Sequence, residues 1–298
     1  MELFYKWILS YLLRLSRVTG HPSKSSKRKN PTSFKKPSCR IIRLQFGLIY
    51  ITFKFMKNVS SFIKITRPLN LLIAFISICT GGLITGPLTH IYRLFLAAVS
   101  GVFITGGANV INDYFDLAID RINRPGRILP AGLMRPHTAR IYSFLLFGAG
   151  VAVSILLGGT ALFIASFSAV LLYVYSRNLK STVLLGNGTV GFVSGLAFVY
   201  GGIAVGRVER AAVVGVFAFL FHFSREIIKD MEDLEGDSDQ GARTMPVLYG
   251  IPASLSAVTV IILVLIAVTL LPFFLGMFSS AYYVIVIPGV DLFLLIIL

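Results

Sequence analysis

The acidic side chains of this sequence are gathered rather than spread. Of its 13 Asp and Glu residues, ten fall in two segments: Asp113, Asp116 and Asp120, then Glu226, Asp230, Glu232, Asp233, Glu235, Asp237 and Asp239. Asp113/Asp116/Asp120 and Asp230/Asp233/Asp237 share one spacing, three residues then four. On a helix such positions form a single stripe, about 10 Å from first to last. Three carboxylates on one stripe repel and would otherwise take up protons, so the pattern suits a multivalent cation between two facing stripes. Mg²⁺ takes one or two carboxylates and leaves its other positions to water and phosphate oxygens, which makes a diphosphate a fitting ligand. Cys39, Cys79 and the four His residues (His21, His90, His137 and His222) show no ligand spacing. A hard ion held by oxygen is therefore expected, not a thiolate or imidazole site.

Cations accompany the acids. Arg124, Arg127, Lys180, Arg225 and Lys229 lie in or beside the same polar segments, and Arg67 opens the first apolar span. Acid and base together suit a metal–phosphate complex better than a path for a bare cation. Arg127, Lys180 and Lys229 are assigned to that complex, whereas Arg135 and Arg140 are read as topology signals.

These groups must be positioned by apolar helices. The chain is 55% hydrophobic and 14% charged, and its apolar runs have the length of a membrane-crossing helix. The short alternating segments of a membrane β-barrel are not seen. An all-α polytopic bundle of eight spans is expected, at about 68–89, 91–111, 139–158, 160–176, 183–205, 210–225, 252–276 and 280–298. With the N-terminus inside, interior connections carry Arg121, Arg124, Arg127, Arg135, Arg140, Arg177, Lys180, Arg225, Lys229 and Arg243, against Arg93, Arg207 and Arg210 outside. Ten against three sets the orientation, and every polar connection then faces the cytoplasm. Gly-rich stretches within spans, GGANV at 106–110 and GNGTVGFVSG at 186–195, are read as sites of close helix approach.

The formal net charge of +15 belongs to a leader. Residues 1–57 hold 13 of the 28 Lys and Arg and one acid, Glu2. From Asn58 on, 15 bases face 12 acids, so nothing suggests nucleic-acid binding. The chain divides into a basic extension, 1–57, read as a tail beside anionic lipid headgroups, and a membrane domain, 58–298.

The two acidic segments closely resemble the signatures of the UbiA superfamily of intramembrane prenyltransferases. NDYFDLAIDRINRPGRILPAG (Asn112 to Gly132) matches the first, and KDMEDLEGD (Lys229 to Asp237) the second; YSRNLK (175–180) before Gly186-Asn187 also fits. The resemblance runs from about Thr66 to the C-terminus. It implies a helical bundle, usually of nine spans, with a prenyl diphosphate donor, Mg²⁺ and an acceptor at the membrane interface. Asp113, Asp116 and Asp120 with Asn112 and Asn123 would hold one Mg²⁺–diphosphate edge, and Asp230, Asp233 and Asp237 the other. Arg127, Lys180 and Lys229 would neutralise the departing diphosphate. Arg225-Glu226 before the second motif, where many relatives have Tyr in place of the Arg, resembles the archaeal ether-lipid branch. That branch implies geranylgeranyl transfer to the hydroxyl of geranylgeranylglyceryl phosphate, with Arg225 as candidate partner of the acceptor phosphate; alternatively Arg225 pairs with Glu226 or a nearby Asp. An aromatic acceptor, as in quinone or chlorophyll-type pathways, is the rival, and a cation transporter a remote one. Departures from the pattern are Gly126 and Ile128, eight spans before Leu298, and the leader.

Overall fold

The computed structural model describes residues 59–86, 90–239 and 241–297; the expected leader, 1–57, lies outside them. The described residues form helices joined by short connections, with no strand among them. In chain order they are α1 (Val59–Ile65), α2 (Pro68–Leu83), α3 (Ile91–Phe115), α4 (Leu117–Asn123), α5 (Pro136–Ile155), α6 (Gly159–Val174) with a π-turn over Tyr175–Leu179, α7 (Leu185–Ala204), α8 (Glu209–Glu232), α9 (Leu234–Asp239), α10 (Met245–Phe274), α11 (Ser280–Val286) with a π-turn over Ile287–Asp291, and α12 (Leu292–Ile297). Six of these are long and apolar enough to cross a membrane. A seventh span results if α1 and α2 are joined across their 53° bend, and the apolar segment Ser280–Ile296 is shorter. Within the described residues each expected apolar run falls largely on helix, and the first is preceded by α1 across the bend.

With hydrocarbon outside, burial of apolar surface does little to hold these helices together, so close packing and hydrogen bonds must. Between α3 and α5, Ser100 Oγ donates to the Gly150 carbonyl at 2.7 Å and Ser143 Oγ donates to the Gly107 carbonyl at 2.8 Å. Between α2 and α7 the backbones touch: a Cβ on Gly201 would lie 1.9 Å from the Ile78 carbonyl oxygen. The three Arg residues at the far end from the acidic motifs also tie helices. Arg93 donates to the carbonyls of Ala204 (3.0 Å) and Leu157 (2.6 Å), at the C-terminal ends of α7 and α5. Arg207 reaches the Thr85 carbonyl just beyond α2, and Arg210 lies over the Phe278 ring. Cations are favoured at helix C-termini, which gives Arg93 and Arg207 a structural role.

The fold also contains a repeat. Leu185 follows Pro68 by 117 residues, and Leu234 follows Leu117 by the same 117, so α7–α9 reproduce α2–α4. The offset carries Asn70 onto Asn187, Arg93 onto Arg210, and each Asp of the first motif onto one of the second. It also relates Arg67 to Leu184, the two non-glycine residues with positive φ among those described, both at 56°. The same offset places Leu184 where the first half has a cation, and Glu226 where it has Asn109.

The backbone contact at Gly201 makes a sharp test. Gly201→Ala should lower the thermal midpoint in detergent, for a cost of about 1–3 kcal/mol. Gly148→Ala, where nothing lies within 4 Å of the added methyl, should leave it unchanged. Equal midpoints for both variants would show that the α2–α7 contact is not tight.

Candidate active site

Each acidic motif breaks its helix at the middle Asp. Asp116 closes α3 with φ −79° and ψ 0°, and Asp233 closes α8 with φ −92° and ψ 8°. The expected unbroken stripe is thus corrected to a long helix, a one-residue break and a short helix carrying the third Asp. Hydrogen bonds still step through four residues at a time: Asp116 N to the Asn112 carbonyl (2.9 Å) and Asp120 N to the Asp116 carbonyl (2.8 Å), with Asp233 N to Lys229 and Asp237 N to Asp233 alike. The carboxylates therefore remain on one side, while the break lets the chain leave the apolar bundle.

In the first motif Asp113, Asp116 and Asp120 are 4%, 6% and 3% exposed. Three carboxylates at such depth require compensation, and each has it. Arg67 forms an ion pair with Asp113, and Lys180 with Asp116. Arg127 bridges Asp120 at 2.6 Å and Asp113 at 3.6 Å. Asn112 Nδ2 adds a hydrogen bond to Asp116 at 2.7 Å.

Local structure places each cation. Arg67 sits in the left-handed region before Pro68, a costly conformation for a residue with a side chain. It is held by its N–H to the Lys64 carbonyl and by Asn109, which bonds the neighbouring Thr66 carbonyl at 2.8 Å. Arg127 hangs from a loop whose Leu129 and Met134 are buried with Ile65, Val110 and Ala139. Lys180 follows the π-turn Tyr175–Leu179 and donates its backbone N–H to the Tyr175 carbonyl. The chain then passes into α7 with no room for a Cβ at Gly186, 2.7 Å from the Leu179 carbonyl.

The second motif is differently furnished. Asp230 accepts a hydrogen bond from Asn187 Nδ2 at 2.7 Å, whereas Asp233 is exposed. Burial raises the Asp237 carboxyl above the ordinary range, and the charge of Asp233 adds to this against Lys180 and Lys229. Among the described residues none of these three carboxylates forms an ion pair. Lys229 and Arg225 both turn to Glu226, at 3.5 and 2.6 Å. Glu226 is buried, while the Arg225 side chain is 56% exposed.

The two motifs approach one another. Asn123 Nδ2 would stand 3.4 Å from a Cβ at Gly236, and Lys180, paired with Asp116, also acts electrostatically on Asp237. Among the described residues no three acidic or imidazole side chains converge as a ready metal site. In the first motif the carboxylates are instead engaged by Arg67, Arg127 and Lys180. The donors that line the gap are carboxylate and amide oxygens, the chemistry a hard divalent cation selects. Glu226 and Asn187 were not singled out as site residues by the sequence; the 117-residue offset from Asn70 would have flagged Asn187.

Sequence and fold both resemble those of known proteins. The UbiA prenyltransferase family profile matches residues 72–298. The digeranylgeranylglyceryl phosphate synthase of Methanothermobacter thermautotrophicus is 40% identical over 235 residues, 78% of this chain and 82% of that protein. A solved structure concerned with digeranylgeranylglyceryl phosphate synthase in membranes superposes with a TM-score of 0.70 at 32% identity, covering 80% of this chain and 85% of the other. A UbiA homologue from Archaeoglobus fulgidus, bound to GPP and Mg²⁺, shares the fold at a TM-score of 0.68 and 21% identity, over 79% of this chain and 85% of that one.

The ion pairs of the first motif predict a compensated loss. Arg67→Gln leaves Asp113 buried without its cation and should destabilise by about 1–3 kcal/mol, since Arg67 is itself partly exposed. Adding Asp113→Asn should recover at least about half of that loss. Thermal midpoints of the two variants in detergent provide the check; additive losses would mean the pair carries no charge compensation.

Proposed function

The chain belongs to the UbiA prenyltransferase family, and on that premise we propose that it transfers a geranylgeranyl group from its diphosphate to the free hydroxyl of geranylgeranylglyceryl phosphate. It is a multi-pass membrane enzyme. The observation that carries the acceptor is the 40% identity, over most of both chains, to a protein named for this product. In the reaction the allylic C1–O bond to diphosphate breaks, the acceptor oxygen bonds to C1 as an ether, and its proton is lost.

The residues divide this work. Asp113, Asp116 and Asp120, with Asn112 and Asn123, hold one side of a Mg²⁺–diphosphate complex, and Asp230, Asp233 and Asp237 the other. Bound Mg²⁺ supplies Lewis-acid neutralisation of charge building on the leaving group. Arg67, Arg127, Lys180 and Lys229 present fixed positive charge to the same oxygens, the kind of preorganised electrostatics that lowers such barriers most. The apolar bundle keeps water from the allylic cation until the acceptor reaches it. Arg225 binds the acceptor phosphate: Glu226 tethers one of its nitrogens, and a guanidinium has further N–H donors to give. The site faces the cytoplasm, with donor and acceptor drawn from the cell membrane, consistent with the excess of Lys and Arg at that end.

The test is a turnover assay in liposomes with geranylgeranyl diphosphate and Mg²⁺, offering geranylgeranylglyceryl phosphate or 4-hydroxybenzoate. The doubly alkylated glycerol phosphate should form, and Asp116→Asn or Asp233→Asn should each reduce kcat at least about 100-fold while the protein stays folded. In the same assay Arg225→Gln should raise KM for the lipid phosphate alone. Product only from the aromatic acid would overturn the acceptor, and full activity in both Asp variants would overturn the two-motif site.

A further inference from the structure

The two motifs share backbone geometry and carboxylate spacing yet differ in counter-charge. In the first, three Asp residues meet three cations, Arg67, Arg127 and Lys180, in direct ion pairs. In the second, three Asp residues meet none among the described residues; the nearest hydrogen bond to Asp230 comes from the neutral amide of Asn187. The repeat explains how. Leu184 replaces the cation found at Arg67, while Lys229 stands at the place of Asn112. Glu226 replaces Asn109, and this added carboxylate draws Arg225 and Lys229 to itself.

A divalent cation arriving alone meets different competition at the two places. At Asp113/Asp116/Asp120 it must displace ammonium and guanidinium groups already bonded to buried carboxylates. At Asp230/Asp233/Asp237 it meets no ion-paired cation among the described residues, only the Asn187 amide and the Thr244 hydroxyl. A diphosphate changes the first case, because Arg67, Arg127 and Lys180 can turn to phosphate oxygens and release the carboxylates. We infer that the enzyme loads metal in order: one ion enters at Asp230/Asp233/Asp237 without substrate, and the Asp113/Asp116/Asp120 motif takes its ion only together with the diphosphate. This rests on the reading of the site as a Mg²⁺–diphosphate centre. It adds that Arg67, Arg127 and Lys180 are place-holding cations for the first motif, and that Glu226 keeps the second free of them.

The test is Mn²⁺ binding to the full chain in detergent, followed by the EPR signal of free Mn²⁺ with no diphosphate present. The wild type should bind one ion per chain tightly. Asp230→Asn and Asp237→Asn should each weaken that ion about tenfold or more, whereas Asp113→Asn and Asp120→Asn should leave it in place. Removing place-holders, as in the Arg67→Gln/Lys180→Gln double variant, should create a second substrate-free ion. Size-exclusion profiles and thermal midpoints confirm that each variant is folded. Two equivalent ions in the wild type, loss of the tight ion in Asp120→Asn but not Asp237→Asn, or no substrate-free binding at all would each overturn ordered loading. Turnover assayed on the same preparations keeps that result separate from the prenyl-transfer reading, which any of those outcomes leaves intact if product still forms.

Discussion

Holding carboxylates at the edge of an apolar bundle is costly unless each one is compensated, and the architecture follows from that cost. A buried ionised carboxylate without a partner forfeits several kcal/mol of hydration. Asp113, Asp116 and Asp120, all less than a tenth exposed, are tolerable because cations from three separate places reach them: Arg67 before α2, Arg127 from the loop after α4, and Lys180 after α6. The first motif thus depends on the folding of most of the first half of the domain. The same pairs give the site its chemistry, since cations that neutralise carboxylates in one state can neutralise phosphate in another.

That arrangement demands a bundle whose helices hold their registers closely, and the packing provides it through small residues. Serine hydroxyls donating to glycine carbonyls fix α3 against α5, and bare backbone contacts fix α2 against α7. At the far end Arg93 gathers the C-termini of α5 and α7. The second half repeats the first at a constant offset, so one backbone solution, the helix broken at its middle Asp, serves twice. Divergence between the halves lies in side chains. Leu184 for Arg67 and Glu226 for Asn109 convert a charge-balanced motif into one whose carboxylates are left open.

Much of this was legible in the sequence. Runs of apolar residues gave the helical membrane class, and the Asp spacing together with the flanking Lys and Arg pointed to carboxylates that the structure pairs with Arg67, Arg127 and Lys180, because hydrophobic length and charge placement are properties of the chain itself. The break at Asp116 and Asp233 was not legible, since the 3-then-4 spacing is equally compatible with an unbroken helix. Nor was the pairing of Arg67 with Asp113, which depends on a left-handed backbone at Arg67 before Pro68. The part of Glu226 emerged only from three-dimensional neighbours, as it reads in sequence like one more acid in a crowded segment. Arg225 was weighed between a ligand and a partner of Glu226; the structure contains that ion pair, and the Arg225 side chain remains about half exposed beside it.

In the proposed reaction the cations now paired with aspartates belong to the diphosphate once it binds. The most direct measurement is a cryo-EM structure of the full chain in nanodiscs with Mg²⁺ and geranylgeranyl thiolodiphosphate, an unreactive donor analogue. The diphosphate should lie between the two motifs, with Lys180 Nζ and the Arg67 guanidinium turned from Asp116 and Asp113 to phosphate oxygens. A diphosphate bound elsewhere, with the Arg67–Asp113 and Lys180–Asp116 pairs intact, would contradict it.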